Sequence, residues 1–249
     1  MKRVISLLFI AALALLLLYV VSRMPPMGEP DIPTAVRVVP RYLEKAEEET
    51  HARNVVTGVI LNYRGFDTMG EVTVIYCALA AVLAVLGREK RGRIRDYVEL
   101  SGLRSSVIVR AMVSLVVPFI VLFSIYTILH GETSPGGGFQ GGAVIGASMI
   151  IFTTIFGLHL SSVKVPQGFR ASLEGVAVIT FFLVGVLGIL GGGNFLTYAW
   201  PKVSESVHPA LVTWLTVLVE VGIGLGGAMV LISMLFAMVR EEGADEPMA

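Results

Sequence analysis

Residues 130–142 read HGETSPGGGFQGG, and they separate two long apolar segments of the chain. The proline and the glycines of this stretch interrupt a helix that would otherwise continue through both segments. Lipid-facing backbone has no water to bond and must be helical, so broken helices at membrane depth occur where protein or a water-lined cavity receives them. The stretch therefore predicts a helical membrane protein that handles ions rather than a passive anchor.

The composition also indicates a membrane protein. The 249 residues are 55% hydrophobic and 15% charged, with a mean hydropathy of +0.78, whereas charged residues make up about a quarter of soluble domains. The net charge of zero does not favour nucleic acid as a partner. The single cysteine, Cys77, cannot form an intrachain disulfide and is interpreted as a small packing residue.

Six segments are long and apolar enough to cross a lipid bilayer, which takes about 20 residues. They are Val4–Val21, Thr68–Leu86, Val107–Leu129, Gln140–Leu160, Ser172–Leu190 and Pro209–Val239. The predicted fold class is therefore an all-α integral membrane protein with about six transmembrane helices. The first segment resembles a signal peptide in its basic start, but it lacks an A-x-A cleavage site before Arg23, which favours an uncleaved anchor.

The distribution of basic residues predicts the orientation. The two loops that follow the second and fourth segments contain Arg88, Lys90, Arg91, Arg93, Arg95, Arg104, Lys164 and Arg170. The loops that follow the third and fifth segments contain, between them, only Lys202. Because cytoplasmic loops are enriched in lysine and arginine, we expect a multi-pass protein of the cell membrane with both termini in the cytoplasm.

Residues 22–65 form the one sizeable polar stretch outside the predicted spans. A proline-rich linker is followed, from Arg41 to Arg64, by charged residues and then by apolar residues at helical spacing, namely Val55, Val56, Val59 and Ile60. This pattern predicts an amphipathic helix at the outer membrane interface. A solvated helix packed on a partner protein fits the same pattern.

Two groups of motifs resemble known membrane proteins. The run NVVTGVILNYRGFDTMGE at residues 54–71 resembles a segment near the end of the large MrpA-type subunit of Mrp-type multisubunit Na⁺/H⁺ antiporters. HGETSPGGGFQGG, GILGGGNFLTYAWP at residues 188–201 and LVEVGIGLGGAMVL at residues 218–231 resemble the MrpB-type (MnhB-type) subunit of the same systems. The resemblance divides the chain into residues 1–100, a two-span part like the end of MrpA, and residues 101–249, a four-span part like MrpB.

The joining of both pieces in one chain resembles the Mrp-like module of archaeal and bacterial membrane-bound hydrogenases and their sulfur-reducing relatives. The resemblance implies partners: other Mrp-type membrane subunits (A- or D-like antiporter subunits and C-, E-, F- and G-like ones) and a hydrogenase-like or sulfur-reducing arm. It also implies Na⁺ and H⁺ as transported ions, with no cofactor in this chain. A purely structural subunit, which joins its neighbours without lining an ion path, is the alternative.

Glu220 is the strongest candidate for an ion-path residue. It lies inside the sixth predicted span, and its helical neighbours at three- and four-residue spacing include Thr213, Thr216 and Gly224. A carboxylate at that depth costs about 2.5–3.5 kcal/mol on insertion scales, so it is expected to face protein or water and to bind a proton or a cation. The MrpB resemblance also places a glutamate here. A structural glutamate bonded to a neighbouring subunit is the other interpretation.

Three more carboxylates are candidates for the ion path. Asp67 and Glu71 are four residues apart and share a helix face at the start of the second span, where they could gather Na⁺. Thr68 and Glu71 also match a capping box, which would make the pair structural. Glu174 lies at the predicted cytoplasmic start of the fifth span, where helix capping or pairing at an interface is favoured over a role in transport.

His130 and the glycines of the opening stretch complete the candidates. His130 could relay protons beside the glycine break or be an ordinary interfacial histidine, and it lies a full span, about 30 Å, from His159, so the two cannot ligate one haem. The candidate glycines have two interpretations: they let helices pack closely, or they shape an ion path. They are Gly136, Gly137, Gly138, Gly141, Gly142 and Gly224. Pro118 is expected to kink the third span.

No Ser/His/Asp, HExxH or CxxC constellation and no metal-ligand motif occurs in the sequence, so no catalytic centre can be assembled from this chain alone. The sequence therefore predicts a membrane subunit of a cation/proton antiport module that works only with partner subunits.

Overall fold

The computed structural model describes residues 2–86, 106–198, 200 and 208–242. The predicted basic cluster from Arg88 to Arg104 and the loop lysine Lys202 lie outside these residues. The chain divides into two compact units, residues 1–44 and residues 45–249, which are described separately below.

The first unit begins with helix α1, Lys2–Ser22. Its leucine- and alanine-rich sequence favours a helix, and it ends shortly before Pro25 and Pro26. No residue of its membrane-spanning window, Val4–Ser22, is buried within the structure. A π-helical turn, Thr34–Val38, follows the proline-rich linker and leads into helix α2, Val39–Thr50.

The second unit begins within α2 and continues through short helix α3, Val55–Thr57, and a second π-helical turn, Gly58–Tyr63. Long helices follow: α4, Gly65–Leu86; α5, Val107–Leu129; and α6, Gly138–Phe156. The short helix α7, Leu158–Lys164, precedes the two last helices, α8, Gln167–Leu190, and α9, His208–Glu242.

Helix α9 is the centre of the second unit, because α4, α5, α6 and α8 all pack against it. Of its membrane-spanning window 61% is buried, compared with 11% for α5. The core contains two apolar clusters, and both include α9 side chains. One joins Val219 and Ile223 to Phe181 of α8, and the other joins Ile232 and Phe236 to Leu158 of α7.

The described residues contain six helices that are long and apolar enough to cross a membrane, as predicted. They span Val4–Ser22, Gly65–Leu86, Val107–Leu129, Gly138–Phe156, Gln167–Leu190 and Pro209–Val239. The predicted all-α, multi-pass membrane fold is confirmed.

Two predicted boundaries were wrong. The fourth span was predicted to continue to Leu160, but α6 ends at Phe156 because Gly157 adopts φ 86°, a conformation open to glycine, and starts α7. Arg170 was placed in a cytoplasmic loop, yet it lies inside α8 and only 2% of it is exposed. Its guanidinium stacks on Phe236, 4.4 Å from the ring centroid, and donates to the Val165 carbonyl at 2.8 Å, so this arginine is part of the buried packing between α8 and α9.

The predicted amphipathic helix across residues 41–64 is also interrupted. The chain leaves α2 at Thr50, and His51 takes φ 55°, which ends the helix. Asn54 then starts α3, since its side-chain oxygen accepts a hydrogen bond from the Val56 N–H at 3.0 Å. The break brings the beginning of α3 to the site described next.

Candidate functional site

The site is built around the turn between α5 and α6, residues 130–137, which we call the glycine loop. Helix α5 ends at Leu129. Gly137 adopts φ 137°, a backbone conformation that residues other than glycine rarely adopt. The Gly137 N–H donates to the Thr127 carbonyl at 3.2 Å, which ties the loop back onto α5. Helix α6 then starts at Gly138 with its N-terminus facing α9.

Glu220 of α9 meets the N-terminus of α6. It is 3% exposed, and its Oε2 accepts a hydrogen bond from the Gly138 N–H. The first N–H groups of a helix have no partner within the helix, and the helix dipole favours negative charge there. The Oε2 atom therefore caps α6 from a neighbouring helix.

The second carboxylate oxygen of Glu220 has a different environment. Oε1 is buried and has no hydrogen-bond partner among the residues that the structure describes. A buried polar atom without a partner costs free energy, which makes an unfilled acceptor here a marker of a ligand, water or ion position. One carboxylate thus combines a structural oxygen with a free one.

Glycines bring the loop backbone close to this oxygen. A Cβ atom placed on Gly131 or on Gly137 would lie 3.3 Å from Glu220 Oε1. A Cβ on Gly138 would collide with the Glu220 carbonyl oxygen itself. The loop backbone therefore approaches the carboxylate because these positions have no side chain.

A second buried carboxylate lies in the glycine loop. Glu132 is 7% exposed, and its Oε1 accepts a hydrogen bond from the Thr213 hydroxyl of α9 at 3.1 Å. Thr213, Thr216 and Glu220 follow one another at spacings of three and four residues, so they share one face of α9. Thr216 is also buried, with 4% exposed. We call these three residues the polar face of α9.

The start of α3 holds the glycine loop in place. The side-chain amide of Asn54 donates to the carbonyl oxygens of Gly131, at 2.8 Å, and Ser134, at 2.9 Å. The Thr57 hydroxyl also donates to the Gly131 oxygen, at 2.5 Å, and the Asn54 N–H donates to the Glu132 carbonyl at 2.8 Å. Two residues of the part that spans residues 1–100 therefore fix a loop of the part that spans residues 101–249.

Tyr198 lies in the same core cluster as Val219, the neighbour of Glu220. It is 1% exposed, and its hydroxyl has no partner within the described part of the chain. Burial raises the pKa of this hydroxyl, and the charge of Glu220 raises it further, so Tyr198 stays protonated and remains a hydrogen-bond donor.

Asp67 and Glu71 lie outside the buried site. Both side chains are exposed on α4, and Asp67 forms an ion pair with Arg64. The capping-box interpretation was wrong, because α4 already begins at Gly65 and the Thr68 hydroxyl donates to the Ile60 carbonyl at 2.6 Å. The cation-gathering role of the pair stays a prediction.

Glu174 belongs to a separate polar group. Its Oε1 accepts from the Ser233 hydroxyl at 2.7 Å, while Ser233 accepts from Arg170 at 3.2 Å, and the Tyr76 hydroxyl donates to the Glu174 carbonyl at 2.9 Å. Ser233 follows Glu220 by 13 residues, about 20 Å along a helix. The structure therefore does not bring Glu174 to Glu220.

His130 and Pro118 take peripheral places. His130 is exposed, stacks on Tyr126 with ring centroids 4.1 Å apart, and has Nδ1 3.1 Å from the Tyr126 carbonyl oxygen. Pro118 lies inside the uninterrupted helix α5. Their predicted roles, a proton relay and a kink, stay predictions.

The glycines at the end of the glycine loop and in the first turns of α6 face two different helices. Gly138 and Gly142 approach α9, and a Cβ on Gly142 would be 2.5 Å from the Gly224 carbonyl oxygen. Gly136 and Gly141 approach α5 instead, at Thr127 and Ser124. These glycines therefore let α6 pack closely against both α5 and α9.

Four residues of the site were not predicted from the sequence, namely Glu132, Asn54, Thr57 and Tyr198. A signal for each was present, because all four lie in the motifs that carry the family resemblance. The motifs do not indicate which of their residues contact one another, however, and only the fold brings residues 54–57 to residues 131–134. Among the described residues, no group of three His, Cys, Asp or Glu side chains could hold a metal ion.

Comparison with known families accounts for both parts of the chain. Residues 108–238 match the family described as a domain related to the MnhB subunit of Na⁺/H⁺ antiporters. The chain belongs to this MnhB-related family. Residues 5–99 match a second family, MbhE, which is described as a component of MBH.

Similar proteins agree with this assignment. The MnhB-related chain is 30% identical to the B-type subunit of the Na⁺/H⁺ antiporter of Bacillus subtilis over 39% of its own length and 66% of that protein. It covers less than two thirds, 59% and 66%, of the first curated relatives that it matches.

Two solved structures have the same fold over nearly the whole MnhB-related chain. A chain of the membrane-bound sulfane sulfur reductase, an archaeal respiratory membrane complex, has a TM-score of 0.62 and 31% identity, with 96% of this chain and 98% of that chain covered. A chain of the Mrp complex from Dietzia sp. DQ12-45-1b has a TM-score of 0.65 and 25% identity, with 99% and 27% covered. The predicted resemblance to a membrane subunit of the Mrp type is confirmed.

Proposed function

We propose that this chain is a membrane subunit through which an Mrp-type module exchanges Na⁺ for H⁺, with Glu220 as the residue that binds both ions in turn. The observation that carries the proposal is that Oε1 of Glu220, a side chain almost fully buried in the bundle, has no hydrogen-bond partner among the described residues. The family name, which refers to a Na⁺/H⁺ antiporter, supports the choice of ions.

The geometry of Glu220 suits an exchange of ions at a fixed position. Its Oε2 is held by the Gly138 N–H, so the carboxylate keeps its place whichever ion is bound. Its Oε1 lies beside the backbone of Gly131 and Gly137, two positions that carry no side chain. A proton neutralises the carboxylate and removes its attraction for a cation, so Na⁺ and H⁺ compete for one site.

The complex around the chain forms part of the proposal. The matches to chains of an Mrp complex and of a sulfane sulfur reductase support other Mrp-type membrane subunits, and a hydrogenase-like or sulfur-reducing arm, as partners. The family matches on either side of residue 100 support the division into residues 1–100 and 101–249. The chain is proposed to lie in the cell membrane with both termini on the cytoplasmic side, because arginines and lysines are concentrated in the loops predicted for that side.

Chemical labelling tests the proposal on the unmodified protein. Dicyclohexylcarbodiimide reacts with a protonated carboxyl group in apolar surroundings and leaves a stable adduct that mass spectrometry can locate. In the purified complex that contains this chain, we expect labelling of Glu220. Na⁺ at ten times its dissociation constant should slow this labelling about tenfold, because mass action leaves about one site in eleven free. Choline at the same concentration should not slow it.

The labelling experiment also separates the proposal from a structural role. Glu48, an exposed carboxylate of α2, serves as the control, since it should remain unlabelled both in Na⁺ and in choline. If Glu220 reacts at the same rate in Na⁺ and in choline, the two ions do not share this carboxylate. Glu220 would then only cap α6, as expected of a structural subunit.

A further inference from the structure

Glu132 is a buried carboxylate that the proposed function does not yet use. It is 7% exposed, and its carboxylate has one hydrogen-bond partner among the described residues, the neutral hydroxyl of Thr213. No basic side chain in the described ranges pairs with it. A buried charge with so little compensation is costly unless a further partner completes it.

The position of Glu132 relates it to Glu220 along one helix face. Its partner Thr213 precedes Glu220 by seven residues, which is two helical turns and about 10 Å. Thr216 lies between them on the same face and is 4% exposed. Oxygen atoms of Glu132, Thr213, Thr216 and Glu220 therefore follow one another along the polar face of α9.

The free oxygen of Glu220 points independently to a ligand in this region. It is the buried Oε1 without a partner among the described residues, and it faces Gly131, the residue directly before Glu132. The loop backbone that carries Glu132 thus also borders the Glu220 site. The two carboxylates are therefore related both through Gly131 of the loop and through the polar face of α9.

The main chain at Glu132 is fixed by hydrogen bonds from Asn54 and Thr57, at the start of α3. The Asn54 N–H donates to its carbonyl oxygen at 2.8 Å, and the Asn54 and Thr57 side chains both donate to Gly131. With its carboxylate bonded to Thr213, the residue is held at both ends. Such a fixed oxygen site suits a hard cation, which binds oxygen ligands.

From this arrangement we propose that Glu132, with the hydroxyls of Thr213 and Thr216, forms a second binding position for a monovalent alkali cation on the way to Glu220. The inference rests on the proposed function, since it presumes that a cation reaches Glu220. It adds a residue whose task is to concentrate and orient the cation, whereas Glu220 carries out the exchange with the proton.

The test compares variants of the whole complex in sealed membrane vesicles, with Na⁺-driven proton movement measured at a series of Na⁺ concentrations. We expect Glu132→Gln to raise the half-saturating Na⁺ concentration about tenfold, because loss of one ligand charge weakens cation binding. The maximal rate should stay near that of the wild type. Thr213→Val should shift half-saturation in the same direction, and Thr213→Ser, which keeps the hydroxyl, should restore it.

Every outcome of this test decides for or against the second cation position. An assembled Glu132→Gln complex with unchanged half-saturation, or with a lower maximal rate alone, overturns it. If Glu132→Gln does not assemble, as checked on a native gel, Thr213→Val decides, because it keeps the carboxylate, and unchanged half-saturation in that variant overturns the inference. Loss of exchange in Glu220→Gln beside wild-type behaviour in Glu132→Gln would refute the second position and leave the proposed function intact.

Discussion

The Glu220→Gln substitution should abolish Na⁺-driven proton movement while the complex still assembles. Glutamine has the size of glutamate, and its amide oxygen can still accept the hydrogen bond from the Gly138 N–H that caps α6. It carries no charge and takes up no proton, so the free oxygen beside Gly131 and Gly137 loses its function. We expect a loss of about two orders of magnitude or more, within the range for removal of a positioned proton-transferring group.

The measurement uses inverted vesicles that contain the whole complex, with a pH-sensitive dye to follow proton movement after addition of Na⁺. A native gel of the same vesicles reports assembly. Glu48→Gln makes the same chemical change on the exposed surface of α2 and should leave the rate unchanged. Exchange at the wild-type rate in Glu220→Gln would contradict the assignment, and loss of the complex itself would favour a purely structural subunit.

The Gly142→Ala substitution should destabilise the bundle more than a single methyl group usually does. Its Cβ would lie 2.5 Å from the carbonyl oxygen of Gly224 and 3.1 Å from the Gly224 Cα. These are backbone atoms of the central helix α9, so no side chain can rotate away, and α6 and α9 must separate. Overpacking in a core costs about 1–3 kcal/mol, and we expect the upper end of that range.

Thermal melting of the purified complex in detergent measures this effect. A change of 1 kcal/mol shifts the melting temperature of a chain of this size by about 2–4 °C, so Gly142→Ala should lower the temperature at which this subunit unfolds by about 6–12 °C. Gly175→Ala is the matched control, because no atom lies within 4 Å of a Cβ at that exposed position of α8. It should leave the melting temperature unchanged or raise it slightly, since alanine favours a helix over glycine. Equal behaviour of the two variants would contradict close packing at Gly142.

Much of the fold could be predicted from hydropathy alone. Long apolar runs have no alternative in a bilayer, so the number and places of the spans follow from composition. The boundaries that failed depend on single backbone conformations. The φ of 86° at Gly157 ends α6, and the φ of 55° at His51 divides the predicted amphipathic helix. Neither angle is encoded in a periodic pattern.

The site was predictable only in part. Glu220 could be found because a carboxylate inside an apolar run is rare and costly. Glu132 could not be ranked in the same way, because it lies in a polar loop, where a glutamate has no cost until the fold buries it. Its burial depends on Thr213, 81 residues later, and on Asn54, 78 residues earlier. Contacts at such separations leave no local trace in the sequence.

The central place of α9 has a consequence for biosynthesis. The helix against which α4, α5, α6 and α8 pack is also the one that follows all of them in the chain. During translation the earlier helices enter the membrane before their common partner exists, and both apolar clusters of the core stay incomplete until α9 is made. Since membrane helices insert first and associate afterwards, the bundle can close only after α9 has been made. A ribosome that stalls before residue 208 would therefore leave inserted helices without the partner that completes both apolar clusters, exposed to membrane proteases.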